Sequence, residues 1–423
     1  MRVLLIHQAF ASPDDAGGTR HFELAKRCIH KGHSFAIVAS DLSYLSGKRH
    51  GQRRKLVTEK DVQGIRVLRA YTYPSLHRSF VWRVVSFLSF MVSSVLASLK
   101  AGRVDLVMGT SPPIFQAVSA WLVSQIRRRP FLLEIRDLWP AFAIDMGILR
   151  NPWLITLSRS LENFLYKQAT HILVNSPAYE EYLKTKGVDP AKVTLIPNGV
   201  DPSMFVGEFH PDSLRKGWAV NGKFLVTYAG ALGAANDIPV LLEAARALSG
   251  HHQIHLLLVG DGKERPNLES LAKAWGLRNV TFTGALPKKE MPAVLAASDA
   301  CIAILKNIPM FRTTYPNKVF DYMAAARPTV LAIDGVIRKV VEAAGGGIFV
   351  PPGDASALAH AIVTLEKDRA NAKAMGEAAR AYVVEHFDRD KQSKEFVALL
   401  MALAEPRRTG FSTAKHAETA EKI

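Results

Sequence analysis

Short apolar runs alternate along this chain with longer stretches in which apolar residues recur every three or four positions. In the first 200 residues, VLLIHQAF, SFAIVAS, VDLVMGT, FLLEIRD, THILVNS and VTLIPN read as strands. Helical patterns such as RHFELAKRCIH and PWLITLSRSLENFLYKQA fill most of the gaps between them. That alternation predicts a parallel sheet with helices on both faces. From residue 222 the pattern begins again with FLVTYAG, IHLLLVG, NVTFTG, ACIAIL, TVLAI and GIFVP. Between the two series lies PNGVDPSMFVGEFHPDS, whose proline, glycine and aspartate suit a linker. The expectation is α/β: two Rossmann-like, doubly wound domains facing each other across a cleft. Residues 1–200 form the first, 201–221 the linker and 222–386 the second. A helix at 387–405 is expected to cross back to the first domain, and 406–423 read as a frayed tail. Sheets of this kind bind ligands at the C-terminal ends of their strands, so the cleft is the expected site.

One segment departs from the alternation. FVWRVVSFLSFMVSSVLASLK (80–100) has sixteen uncharged residues between Arg83 and Lys100, and five serines. A spanning helix needs about 20 apolar residues. The serines favour a helix of the first domain, buried or dipped into a bilayer interface, and a span stays open. Charge points the same way. Residues 1–200 hold 27 Lys+Arg against 14 Asp+Glu, whereas the rest holds 27 against 24. The basic stretch GKRHGQRRK precedes the segment, as do Tyr71 and Tyr73. An anionic surface, phospholipid or nucleic acid, is the partner such an asymmetry suits. Cys28 and Cys301 lie in apolar stretches of different halves, which argues against a disulfide framework. MRVLLIHQAF turns polar too soon for a signal peptide, so a cytoplasmic location is expected.

Candidate chemistry sits where strands are expected to end. Gly17 and Gly18, in ASPDDAGGTRHFELAKR, mark a loop turning into a helix, whose amides can receive an anion. Neither a dinucleotide nor a Walker pattern surrounds them. Arg136 and Asp137 follow FLLEI at the mouth of the cleft. In the second half, Gly260 and Asp261, then Gly284 and Leu286, occupy strand-to-helix turns. In YPNKVFDYM, Asn317 is positioned to cap a helix. Lys318 offers a point charge for a diphosphate, and Asp321, one turn on, is an acceptor for ribose hydroxyls. No carboxylate pair is placed to hold a metal, so no metal site is expected; Asp14 and Asp15 are adjacent and loop-borne.

In this order, GGTRHFELAKRCIHKGH, DLVMGTSPP, IRDLWP, ATHILVNSPAYEEYLKTKGV, VTLIPNGVD, YAGALG, LVGDG and PNKVFDYMAAARP resemble family 4 glycosyltransferases of the GT-B fold. The resemblance is strongest to the O-antigen and capsule branch that includes N-acetyl-L-fucosamine transferases. It implies a nucleotide-sugar donor, UDP-linked, in the second domain and no cofactor. It also implies a lipid-linked or other saccharide acceptor on the first domain, and an anionic membrane surface rather than nucleic acid as partner. The enzyme would then be peripheral on the inner face of the cytoplasmic membrane. Family members carry two glutamates eight residues apart here, which fall on Thr313 and Asp321. The usual Arg and Lys after Gly230 are Ala231 and Asn236, leaving Lys318 and Arg312 as the cations. The usual His-Asp pair becomes Arg136–Asp137.

The resemblance also implies net retention, with the leaving diphosphate taking the acceptor proton. Lys318, Arg20 and the Gly17–Gly18 amides would stabilise its charge, with Arg136 and Asp137 beside the acceptor. Two alternatives remain at this point: a sugar-nucleotide epimerase on the same scaffold, and a non-catalytic member of a polysaccharide assembly complex. The basic first half counts against the epimerase, and the altered carboxylate motif keeps the second open.

Overall fold

The computed structural model describes residues 1–43, 47, 49–50, 55–74 and 80–405. Most of the basic stretch singled out above, residues 48 and 51–54, lies outside the described residues, as does the tail 406–423. The first sheet has eight strands: β1 (Arg2–Ile6), β2 (Ser34–Ser40), β3 (Val57–Val62), β4 (Ile65–Ala70), β5 (Leu106–Ser111), β6 (Phe131–Ile135), β7 (His171–Val174) and β8 (Val193–Leu195). Their order is β3-β4-β2-β1-β5-β6-β7-β8. Only β3 runs antiparallel to its neighbour. It joins β4 through Gln63 and Gly64, both at positive φ, the backbone that a two-residue hairpin turn requires. This hairpin was not among the expected strands. VTEKDV carries charge on both faces of an edge strand and lacks the apolar run that marks its neighbours.

The second sheet has β9 (Phe224–Ala229), β10 (Ile254–Val259), β11 (Val280–Gly284), β12 (Ala300–Ile304), β13 (Thr329–Ala332) and β14 (Gly347–Phe349). All are parallel, in the order β11-β10-β9-β12-β13-β14. Each order reverses once, between β1 and β5 and between β9 and β12, and the strand ends there open toward the cleft. The architecture is the two-domain GT-B arrangement. The stretch 201–221 holds a short helix, Pro211–Gly217, tied to the second domain by Arg215, which bonds Asp299 at 2.7 Å.

Both faces of the first sheet are covered. Helices Phe80–Leu99, Ile114–Arg127 and Pro152–Gln168 pack on one side through Phe90, Ala97, Ala120 and Leu165. On the other side lies Arg20–His30, joined by the final helix, Arg389–Ala404, through Phe396, Val397 and Leu400. The two chain crossings between domains run side by side. Val200 N–H donates to Phe387 O at 3.1 Å, and Arg389 N–H donates to Val200 O at 2.8 Å. Arg389 is buried there, held by Glu23, Gln392 and the carbonyl of Gly199.

Candidate active site

The helix Asn317–Ala324 enters the cleft with two faces of opposite character. Val319, Phe320, Tyr322, Met323 and Ala324 are buried, which leaves Asn317, Lys318 and Asp321 on the open side. Tyr322 fixes its height: the phenol accepts from Ala229 N–H at 2.8 Å and lies 3.2 Å from Ala229 O, at the end of β9. Asn317 is not the cap that the sequence suggested. Pro316, in extended backbone, takes that position, and Asn317 is the first helical residue. Its side chain instead meets the first domain, where a Cβ on Gly18 would lie 3.3 Å from Asn317 Nδ2.

Lys318 Nζ sits 3.0 Å from Tyr228 Oη and 3.3 Å from Asn236 Oδ1, and 4.2 Å from the centre of the Tyr228 ring. Tyr228 Oη donates to Ala231 O, so it accepts from the ammonium. Among the described residues no carboxylate pairs with Lys318. The side chain keeps a partial view of solvent. Its enclosure, with no counter-charge to offset it, brings the pKa down to about 7. Gly230 leaves room for it, since a Cβ there would meet Nζ at 2.6 Å and displace the ammonium. A Cβ on Gly260 would meet Gly230 O at 1.8 Å, so the turns after β9 and β10 are pressed together.

Asp321 is paired with Lys288, a residue that sequence reasoning missed. Burial raises the Asp321 pKa, against the pull of Lys288. Lys288 also carries the domain contact: its N–H donates to Asp15 O at 3.0 Å, and Lys289 N–H donates to Pro13 O at 3.0 Å. The loop 13–18 of the first domain is therefore bonded to the turn that reaches Asp321. Among the described residues the amides of Gly17 and Gly18 have no acceptor. The signal for Lys288 was the Lys-Lys pair in FTGALPKKEM, which reads as solvated until the chain folds.

Thr313 also joins the domains, its carbonyl accepting from Ser176 Oγ at 2.5 Å, and Asn198 Nδ2 donates to Tyr315 O at 2.6 Å. Arg136 donates to Pro112 O at 3.3 Å, and its buried Nε has no partner among the described residues. Asp137 is exposed on the cleft wall. Even so, the surrounding protein pushes its carboxyl up to about 6, with Arg136 pulling the other way.

Several expected contributors are committed elsewhere. Arg20 is the clearest correction: it is buried, with Nε on Glu134 at 2.9 Å and its terminal nitrogens on the carbonyls of Pro197 and Ile196 at 2.7 Å. Its donors are consumed inside the first domain. Arg312 is mostly exposed and lies 3.8 Å from Asp334. Leu286 packs into the apolar cluster of Val220, Leu257 and Val294. Asp261 braces its own turn, accepting from Gly262 N–H at 2.8 Å and Arg265 at 3.4 Å. Gly284, at positive φ, closes the next turn by accepting from Gly260 N–H at 2.9 Å. His7, at the end of β1, was not anticipated; it is buried 4.4 Å from the His21 ring, with both ring nitrogens unpaired among the described residues. Among the described residues no cluster of His, Cys, Asp or Glu could hold a metal.

Two known protein families match, one on each domain. The glycosyl transferase 4-like domain matches residues 16–199, and glycosyl transferases group 1 match residues 223–368. WcaI of Escherichia coli (strain K12), by name a colanic acid biosynthesis glycosyl transferase, is 22% identical over 410 residues, covering 93% of this chain and 98% of that protein. Among solved structures, sucrose-phosphate synthase from Thermosynechococcus elongatus superposes with a TM-score of 0.75 at 20% identity, covering 95% of this chain and 98% of that one. HepE of Anabaena, in complex with UDP and glucose, superposes with a TM-score of 0.72 at 19% identity, covering 95% and 100%.

Proposed function

Because this chain belongs to the family 4 glycosyltransferases of the GT-B fold, we propose that its cleft passes a sugar from a nucleotide diphosphate to a lipid-linked saccharide, with retention at the anomeric carbon. The observation that carries this reading is Lys318: an enclosed ammonium with no carboxylate partner among the described residues, at the start of a helix that faces two unpaired glycine amides. An anion is what such a site lacks. The diphosphate of the donor supplies it, with the ribose hydroxyls donating to Asp321.

In the reaction the bond between the anomeric carbon and the phosphate oxygen breaks, and its electron pair stays on that oxygen. The acceptor hydroxyl bonds to the anomeric carbon on the same face and gives its proton to the departing phosphate. The protein contributes position and charge stabilisation, chiefly from Lys318 and the Gly17–Gly18 amides. Arg136 and Asp137 stand on the acceptor side. We take UDP as the nucleotide, in keeping with the ligand of HepE, and an N-acetylated deoxyhexosamine such as L-FucNAc as the first sugar to try. Cell-surface polysaccharide is the product class, in keeping with the name of the Escherichia coli relative. The enzyme works at the inner face of the cytoplasmic membrane as a peripheral protein.

The test is to incubate purified protein with UDP-sugars, with and without a membrane lipid extract. The expected result is UDP release that depends on the extract. Sugar epimerised without any acceptor would replace this reading with the epimerase. No turnover with any donor, in a folded protein, would leave the scaffold role.

A further inference from the structure

The helix Phe80–Leu99 is inside out for a helix in water. Ser86, Ser93, Ser94 and Ser98 are buried. Ser93 Oγ donates to Tyr71 O at 2.6 Å and Ser98 Oγ to Ser94 O at 2.7 Å. Ser119, on the neighbouring helix, donates to Met91 O at 3.0 Å. The opposite side is a stripe of Val81, Leu88, Val92, Leu96 and Leu99, all exposed, at the three- and four-residue steps of one helix face. By length and composition this helix is apolar enough to cross a membrane. Its serine face and Phe90, however, are packed against the first domain. Its polar needs are met by protein, and its apolar side faces out.

Further exposed apolar side chains lie on the two helices packed alongside. Leu122 and Ile126 are exposed on Ile114–Arg127, which packs beside it. On Pro152–Gln168, packed in turn against that helix, Trp153 is 85% exposed and Leu157 66% exposed, one turn apart on the same face. Cations cluster at one end of the stripe. Arg127 donates to the last carbonyls of the first helix, Ser98 O and Leu99 O, while Lys100, Arg103, Arg128 and Arg129 are exposed at the same end. Residues 80–130 contain six Lys+Arg and one acid, Asp105, which Arg2 holds at 2.7 Å.

We infer that these three helices form one docking face for an anionic lipid bilayer, with the apolar stripe dipped into the headgroup boundary and the cations on its phosphates. The charge decides the occupant: two copies of this face would oppose like charges, whereas an anionic leaflet complements them. The inference rests on the proposed membrane-borne acceptor and assigns the surface that meets it.

Vesicle sedimentation of the full chain tests the assignment without any nucleotide, so it can fail while the transferase reading stands. Wild type is expected to bind vesicles containing about one-third phosphatidylglycerol and to leave them in high salt. Trp153→Gln with Leu157→Gln, and separately Leu88→Gln with Val92→Gln, should each weaken binding by about tenfold or more. These side chains are exposed, so UDP binding should be unchanged and certifies the fold. Unchanged vesicle binding in both variants would overturn the inference. So would a wild-type dimer that these variants disperse while vesicles are ignored, or release from membranes by detergent alone.

Discussion

Lys318 is the residue whose charge state and chemistry are most tightly linked. The diphosphate gains charge as the glycosidic bond breaks, so a cation beside it stabilises the transition state more than bound donor. Lys318→Met should lower kcat by about a hundredfold, with a smaller change in donor KM. The reverse split in steady-state kinetics would make Lys318 a binding residue only. Its pKa of about 7 adds a pH prediction. The unfolded chain keeps this proton until about pH 10.5, so between those values the unfolded state binds more protons and the free protein gains stability as pH rises. Binding of UDP beside Lys318 should reverse the preference and draw a proton in. UDP affinity should therefore fall as pH climbs above about 7, by at most about tenfold per pH unit, in titration calorimetry. Lys318→Arg should flatten that dependence; a flat wild-type profile would mean the lysine never meets the diphosphate. Asp321→Ala should weaken UDP by about 1–3 kcal/mol, while Lys288→Met, which removes only its partner, should leave most of the affinity. Lys318 and Asp321 were legible in the sequence because one short helix carries both. Lys288 and His7 were not, because only the fold brings one to Asp321 and buries the other.

At the scale of elements, the helix Asn317–Ala324 is useful only at the height that Tyr322 sets. Replacing Tyr322 by Phe strips Ala229 N–H of its acceptor inside the second domain. Urea unfolding should show a loss of about 1–3 kcal/mol; no loss would mean that the helix is held by packing alone. Strand periodicity was readable in uninterrupted apolar runs, as in IHLLLVG. It failed at the β3–β4 hairpin, where β3 is a charged edge strand and the buried β4 breaks its apolar run with Arg66 and Arg69. Asn317 was misread for a separate reason: an asparagine ahead of an apolar pattern fits a cap, but the preceding proline supplies the extended backbone and moves the helix start back by one residue. Arg20 looked like a cleft cation because it follows the glycine loop, whereas it is buried against Glu134 of β6.

For the whole molecule, the paired crossings at Val200 and Phe387–Arg389 are the mechanical link between the domains. Arg389→Met would leave the Glu23 carboxylate buried without its guanidinium. The cost should be about 3–5 kcal/mol, read as a lower urea midpoint; a midpoint within error of wild type would show that the ion pair is dispensable. The closed cleft itself could not be read from the sequence. It depends on contacts between distant loops, such as Lys288 with Asp15 and Ser176 with Thr313. The measurement that bears most directly on the central claim is a crystal structure of the full chain with UDP. The diphosphate should lie within hydrogen-bond reach of Lys318 Nζ, with a ribose hydroxyl on the Asp321 carboxylate. A nucleotide seated elsewhere, with Lys318 still bonded only to Tyr228 and Asn236, would contradict it.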